Sequence, residues 1–82
     1  MRTDEMIASW AATEADLRWV LAHSRVPADA ARWVTEYLDH NELGLAYEVL
    51  VDNLQGPSPE LQERLRSAAT RMGLPPGDIP AR

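Results

Sequence analysis

The residues best suited to chemistry lie in one short stretch, where Asp39, His40 and Glu42 stand within four positions of one another. A carboxylate beside an imidazole can act as a general acid–base pair, and only His23 and His40 titrate near neutrality without help from their surroundings. A metal site built on this stretch needs a second histidine or aspartate at helical spacing, and the sequence provides neither. The chain also has no cysteine, no lysine and no glycine-rich phosphate loop. We therefore expect no enzyme activity, no bound metal and no cofactor.

The charges of the chain are unevenly distributed. Thirteen Asp and Glu residues stand against eight arginines, which gives a formal net charge of −5. Residues 34–54 contain five acids and neither Arg nor Lys, so this segment accounts for the whole excess. The five acids are Glu36, Asp39, Glu42, Glu48 and Asp52. This balance speaks against nucleic acid as a partner, because binding a phosphate backbone requires a cationic surface. A focused negative surface favours a basic protein partner.

The compartment follows from what the sequence lacks. Without cysteine, neither disulfides nor thiolate metal sites can form, and a reducing compartment is natural. The start of the chain is acidic where a secretory signal is basic. No apolar run approaches the roughly 20 residues that cross a bilayer. The sequence predicts a cytoplasmic protein that does not enter a membrane.

Apolar periodicity indicates helices throughout, and no segment alternates apolar and polar residues as a strand would. Thr3 is predicted to cap the first helix. Thr13 and Asp16 form a second capping pattern, so residues 4–23 are either one long helix, which we favour, or two short ones. The predicted apolar face of this segment consists of Met6, Ile7, Trp10, Leu17, Val20 and Leu21.

The second and third predicted helices meet at a tight corner. Pro27 fits the opening turn of the second helix and not its interior. Asn41 is predicted to cap the third helix, which should run from about residue 42 to 55 and end at Gly56.

The last helix has the clearest boundaries. Ser58 is predicted as its N-cap with Pro59 in the first helical position, and Gly73 as its C-terminal stop. The proline-rich residues 75–82 are expected to form a flexible tail. The fold class predicted is all-α, a compact four- to five-helix bundle or orthogonal array, with residues 1–74 as a single domain.

A partner-binding surface is predicted on the acidic segment. Its residues are Glu36, Asp39, Glu42, Leu45, Glu48, Val49 and Asp52. Leu45 and Val49 lie outside the apolar arc of the third helix, so they either pack under a neighbouring helix or form a small apolar centre ringed by acids. Gly44 is predicted to allow close approach between helices. The aromatic residues are assigned mainly to the core. Trp19 lies off the apolar face of its helix and Trp33 at the edge of its own, so both are either a second packing layer or exposed anchors.

The stretch "YLDHNELGLAYEVLVDNL" resembles the MafI-like family of small bacterial immunity proteins. The residues that carry the likeness are Asp39, His40, Glu42, Gly44, Leu45, Ala46, Glu48, Leu50 and Leu54. The following "SPELQERLRSAATRMGL" is similar to the closing helix of that family, so the likeness covers roughly residues 34–74. One departure is Tyr47, where the family pattern commonly has leucine.

The resemblance implies a cytoplasmic antidote that is encoded with a secreted or contact-delivered toxin and neutralises it by tight binding. Many such toxins are nucleases with cationic clefts, which an acidic helical surface can occupy in place of nucleic acid. The alternative is a small helical adaptor or structural subunit, which includes a possible homodimer formed through its own apolar stripes.

Overall fold

The computed structural model describes the backbone of residues 2–74 and the side chains of residues 9–74, and within that range it contains four α-helices and no strand. The helices are α1 (Arg2–His23), α2 (Ala28–Asp39), α3 (Leu43–Asn53) and α4 (Pro59–Met72). Helix α1 packs mainly against α4, and α2 packs mainly against α3. The all-helical class is confirmed, and four helices agree with the expected four or five. The tail predicted for residues 75–82 lies outside the described residues.

The core receives one fully buried leucine from each helix. These residues are Leu17, Leu38, Leu50 and Leu65, each at most 1% exposed. Burial of such a side chain contributes roughly 1.5–3 kcal/mol relative to leaving it in water. Because each helix supplies one of them, the two helix pairs share a single apolar core.

Helix α1 is continuous, as favoured, but neither predicted cap acts as one. It begins at Arg2, so Thr3 lies inside the first turn. Thr13 is buried, and its Oγ1 donates to the backbone oxygen of Ser9 at 2.8 Å. The hydroxyl is therefore satisfied within the helix, and Asp16, the other half of the capping pattern, is bound by another helix.

Asp16 joins α1 to α4 through a nearly buried carboxylate. The residue is 7% exposed, and Arg64 Nη1 donates to its Oδ1 at 3.2 Å while Arg71 Nη1 donates to its Oδ2. The Arg64 guanidinium also lies 4.6 Å from the centre of the Trp19 ring, and Trp19 stacks on His23. Arg64 thus contacts a carboxylate and an indole of α1 at the same time.

Asn41 ends α2 and does not cap α3, so its predicted role is wrong. Its φ of 58° is left-handed, a conformation that asparagine tolerates better than most residues. Its N–H donates to Leu38 O at 3.2 Å, and the N–H of Glu42 donates to Tyr37 O at 2.8 Å. These bonds form the Schellman motif that closes a helix C-terminus. Glu42 occupies the N-cap of α3 without a side-chain hydrogen bond.

The predicted boundaries of α4 are confirmed. The Oγ of Ser58 accepts the N–H of Leu61 at 3.2 Å, and the helix begins at the following proline. Gly73 ends the helix with φ 71°, and the N–H of Leu74 donates to Ala69 O at 2.9 Å. This is the same Schellman arrangement, with glycine in the left-handed position.

Two other boundaries shift by a few residues. Pro27 stands at the N-cap of α2, one position before the helix. Helix α3 ends at Asn53, whose Nδ2 donates to Val49 O at 2.8 Å, and Leu54 is already extended. Gly56 therefore lies in the connection to α4, where its φ of 56° suits a glycine.

The predicted apolar face of α1 is buried at Leu17 and Val20 but not at Trp10, which is 56% exposed. The placement of Trp10 in the core is wrong. Its exposure follows from helix lengths, since α1 has 22 residues and its main partner α4 has 14. At about 1.5 Å per residue, α4 is too short to cover all of α1. The side chains of Met6 and Ile7 lie outside the described residues.

Replacing Asp16 by asparagine tests the link between α1 and α4. The amide keeps the shape of the carboxylate but removes the charge that both arginines bind, so Asp16→Asn should lower the free energy of unfolding in urea by about 1–3 kcal/mol. Glu14→Gln is the matched control, because it removes an exposed pair with Arg18 and should cost at most about 0.5 kcal/mol. Equal losses in the two variants would contradict a special role for Asp16.

Candidate functional site

Helix α3 is buried along one side and open to solvent along the other. Its buried residues are Leu43, Ala46, Tyr47, Leu50 and Val51. With 3.6 residues per turn, positions 42, 45, 48, 49 and 52 lie on the opposite side. Glu42, Leu45, Glu48 and Asp52 are exposed there, and Val49 is half-buried. The structure thus brings together the five predicted contact residues from position 42 onward.

The two alternatives for Leu45 and Val49 have different outcomes. Leu45 is 45% exposed and forms an apolar spot between the acids of α3. Val49 packs against the core from the edge of the same side. Gly44 is exposed, and a Cβ there would meet no atom within 4 Å. The predicted close approach of helices at Gly44 is therefore wrong.

The two predicted acids of α2 differ in their partners. Glu36 and Asp39 are both exposed. Arg18 Nη2 donates to Asp39 Oδ1 at 3.0 Å, and the Nε of the same arginine donates to Glu14 at 2.8 Å. Asp39 is thus partly neutralised within the chain. The carboxylate of Glu36, like the three acids of α3, forms no ion pair with another described residue.

His40 stands among three of the predicted acids but has the partners of a helix end. Its Nδ1 lies 2.8 Å from the backbone oxygen of Glu36. Since a carbonyl oxygen can only accept a hydrogen bond, Nδ1 carries the proton and donates it. This bond raises the pKa of His40, and the charges of Glu36, Glu42 and Asp39 raise it further. A protonated imidazole there also interacts favourably with the C-terminus of α2. Among the described side chains, no group of three or more metal-binding residues is close enough to hold an ion.

Trp33 is a surface feature absent from the predicted contact residues. It is 57% exposed on α2, on the same side of the helix as Glu36. Its position between Asp29 and Glu36, at spacings of four and three, is the signal in the sequence that places it on the polar side of the helix. Trp19, the other tryptophan left open, is half-buried and forms the second packing layer.

Comparisons with models of protein families, with curated proteins and with solved structures each give no match. In the part of the chain that the structure describes, no helix is both long enough and apolar enough to span a membrane. The features of this protein that bear on function are therefore its surface residues and the likeness of residues 34–74 to immunity proteins.

The pKa of His40 can be tested directly. Since folding raises it above the ordinary 6.5, His40 stabilises the fold fully below that value, and the contribution is lost as pH rises through the folded-state pKa. The His40 Cε1 proton should titrate at higher pH in the native protein than in urea. Glu42→Gln should reverse only a small part of the shift, because the bond to the Glu36 backbone is its largest cause. A native pKa at or below that in urea would contradict the geometry.

The surface role of Leu45 is tested by stability. Leu45→Gln should change the free energy of unfolding by less than about 0.5 kcal/mol, because the side chain is largely in water and glutamine is a good helix former. Leu50→Ala, on the buried side of the same helix, should cost about 2–5 kcal/mol. Chemical denaturation compares the two, and a similar loss at both positions would assign Leu45 to the core.

Proposed function

We propose that the protein is an immunity protein, which binds a cationic toxin through the acidic outer surface of α2 and α3 and catalyses no reaction. The observation that carries this proposal is the open side of α3, where Leu45 lies exposed between Glu42, Glu48 and Asp52. A protein–protein interface usually has an apolar centre and a polar rim, and Leu45 with its neighbouring acids has that order. None of these three acids is neutralised by another described residue.

Electrostatics favours a basic protein as the partner. A surface of one sign attracts the opposite sign before contact and raises the association rate, more strongly at low salt than at high salt. A nuclease fits this requirement, since its cleft must carry cations that bind phosphate groups. Carboxylates on a rigid helix can pair with those cations and exclude the nucleic acid.

The likeness of residues 34–74 to MafI-like immunity proteins supports the same role. It adds that the protein acts in the cytoplasm of the bacterium that makes the toxin, and that the two genes are neighbours. The acids of α3 lie on a helix that is packed into the core, so its backbone need not become ordered when the toxin binds. This preformed surface favours tight inhibition.

The test is binding to the toxin encoded by the neighbouring gene. Glu48→Arg with Asp52→Arg should raise the dissociation constant, measured by calorimetry, at least about tenfold, because cations would then face cations. Cells that produce the toxin should survive with the original protein and lose protection with the double variant. Raising the salt concentration should weaken the original complex more than that of the variant.

The matched control reverses two acids of α4. Glu60→Arg with Glu63→Arg changes the net charge by the same amount but alters a helix that packs mainly against α1. This variant should bind and protect almost as well as the original. If both double variants weaken binding equally, the effect is due to net charge and not to the α3 surface. If no toxin gene lies beside the gene for this protein, the immunity role is overturned.

A further inference from the structure

Trp33 is held in place although more than half of it is exposed. Its ring centre lies 6.0 Å from that of Tyr37, one turn further along α2, with the rings tilted by 30°. Tyr37 in turn packs against the core. An exposed tryptophan backed in this way loses little conformational freedom on binding, and tryptophan is among the commonest anchors of protein interfaces.

The exposed indole lines a surface recess of about 390 Å³ together with Asp29, Arg32 and Glu36. Asp29 lies one turn before Trp33 and Glu36 one turn after it. Neither carboxylate forms an ion pair with another described residue, and Arg32, although four positions from Glu36, does not pair with it. One oxygen of Asp29 accepts the N–H of Ala30 at 3.0 Å, so the recess offers an aromatic face between the Glu36 carboxylate and the second oxygen of Asp29.

We propose that this recess binds an arginine side chain of the protein partner. The guanidinium stacks on Trp33 and donates hydrogen bonds to Glu36 and Asp29. Arginine suits the site better than lysine because its planar group can stack and donate at its edge simultaneously. The inference rests on the proposed function and deepens it, since Glu36 belongs to the predicted contact surface and the recess names a specific contact on it.

The chain contains a related contact between α1 and α4, in which one arginine binds a carboxylate and an indole together. Arg64 lies 4.6 Å from the centre of the Trp19 ring while its Nη1 donates to Asp16 at 3.2 Å. One arginine thus satisfies an indole and a carboxylate that belong to a single helix and lie three positions apart. On α2 the indole and the carboxylate are also three positions apart but in the opposite order, with Glu36 after Trp33, so the internal pair shows that one arginine can bind both groups of a single helix and does not fix the geometry in the recess.

Neutralising Arg32 and neutralising Glu36 should change the affinity for an arginine in opposite directions. As a cation in the recess, it opposes an incoming guanidinium, so Arg32→Gln should strengthen binding about twofold. Glu36→Gln removes an acceptor charge and should weaken binding roughly two- to fivefold, the range for an exposed charge contact. A recess that only attracted apolar groups would respond to neither substitution.

The first experiment needs no partner protein. The peptide acetyl-Gly-Arg-Gly-amide is titrated into the ¹⁵N-labelled full chain, and the indole N–H signals are followed by NMR. The Trp33 signal should shift in a saturable manner, while that of Trp10, which is equally exposed at 56%, should not. The same peptide with citrulline, the neutral analogue of arginine, should have no comparable effect. Equal shifts with both peptides, or at both tryptophans, would overturn the proposal.

The second experiment places the recess in the complex. Trp33→Ala should raise the dissociation constant for the toxin at least about tenfold, and Trp10→Ala should leave it almost unchanged. If Trp33→Ala binds normally while the α3 double reversal fails to bind, the arginine site is refuted and the immunity proposal stands. If the α3 double reversal binds normally and Trp33→Ala fails, the acidic α3 surface is refuted instead.

Discussion

A nearly buried carboxylate, that of Asp16, determines how helices α1 and α4 are joined. Asp16 has left water, and a charge in that position requires compensation, which α4 supplies with two arginines. Arg64 and Arg71 lie about two turns apart on α4 and both contact Asp16, so these ion pairs favour one register and one rotation of α4 against α1. Because α4 binds the Asp16 carboxylate, that carboxylate does not cap a new helix beginning at Thr13, and α1 continues without a break.

The same constraint shapes the outer surface. Four arginines form ion pairs within the described chain, and they are Arg18, Arg64, Arg66 and Arg71. All four belong to α1 or α4, where they pair with Glu14, Asp16 and Glu63, and Asp39 is reached by Arg18 across the α1–α2 contact. The acids on the open side of α3 form no ion pair with another residue that the structure describes. The negative field there follows from where the cations are held and not merely from the number of carboxylates.

Much of the fold could be read from local chemistry, and the failures share a cause. Ser58 and Gly73 act as predicted because each residue type has one strong preference at a helix end. Asn41 suits both an N-cap and a left-handed C-terminal position, and only the hydrogen bonds to α2 decide between them. Thr13 and Asp16 matched a capping pattern, but their partners lie one turn back and 48 to 55 residues ahead. Such partners are not visible in a local pattern.

The exposed residues of α3 could be predicted from helical periodicity, whereas the exposure of the tryptophan residues could not. A helix that is apolar on one side fixes the opposite side, so Glu42, Leu45, Glu48 and Asp52 follow once Leu50 is assigned to the core. Exposure of a tryptophan depends on how far the neighbouring helix extends, which a single segment does not encode. The spacing of Trp33 between Asp29 and Glu36 places it on the polar side of α2, but its support by Tyr37 is visible only in the structure. In the proposed complex, the acids of α2 and α3 supply long-range attraction to a cationic protein, and the indole between two carboxylates on α2 adds selectivity for one side chain.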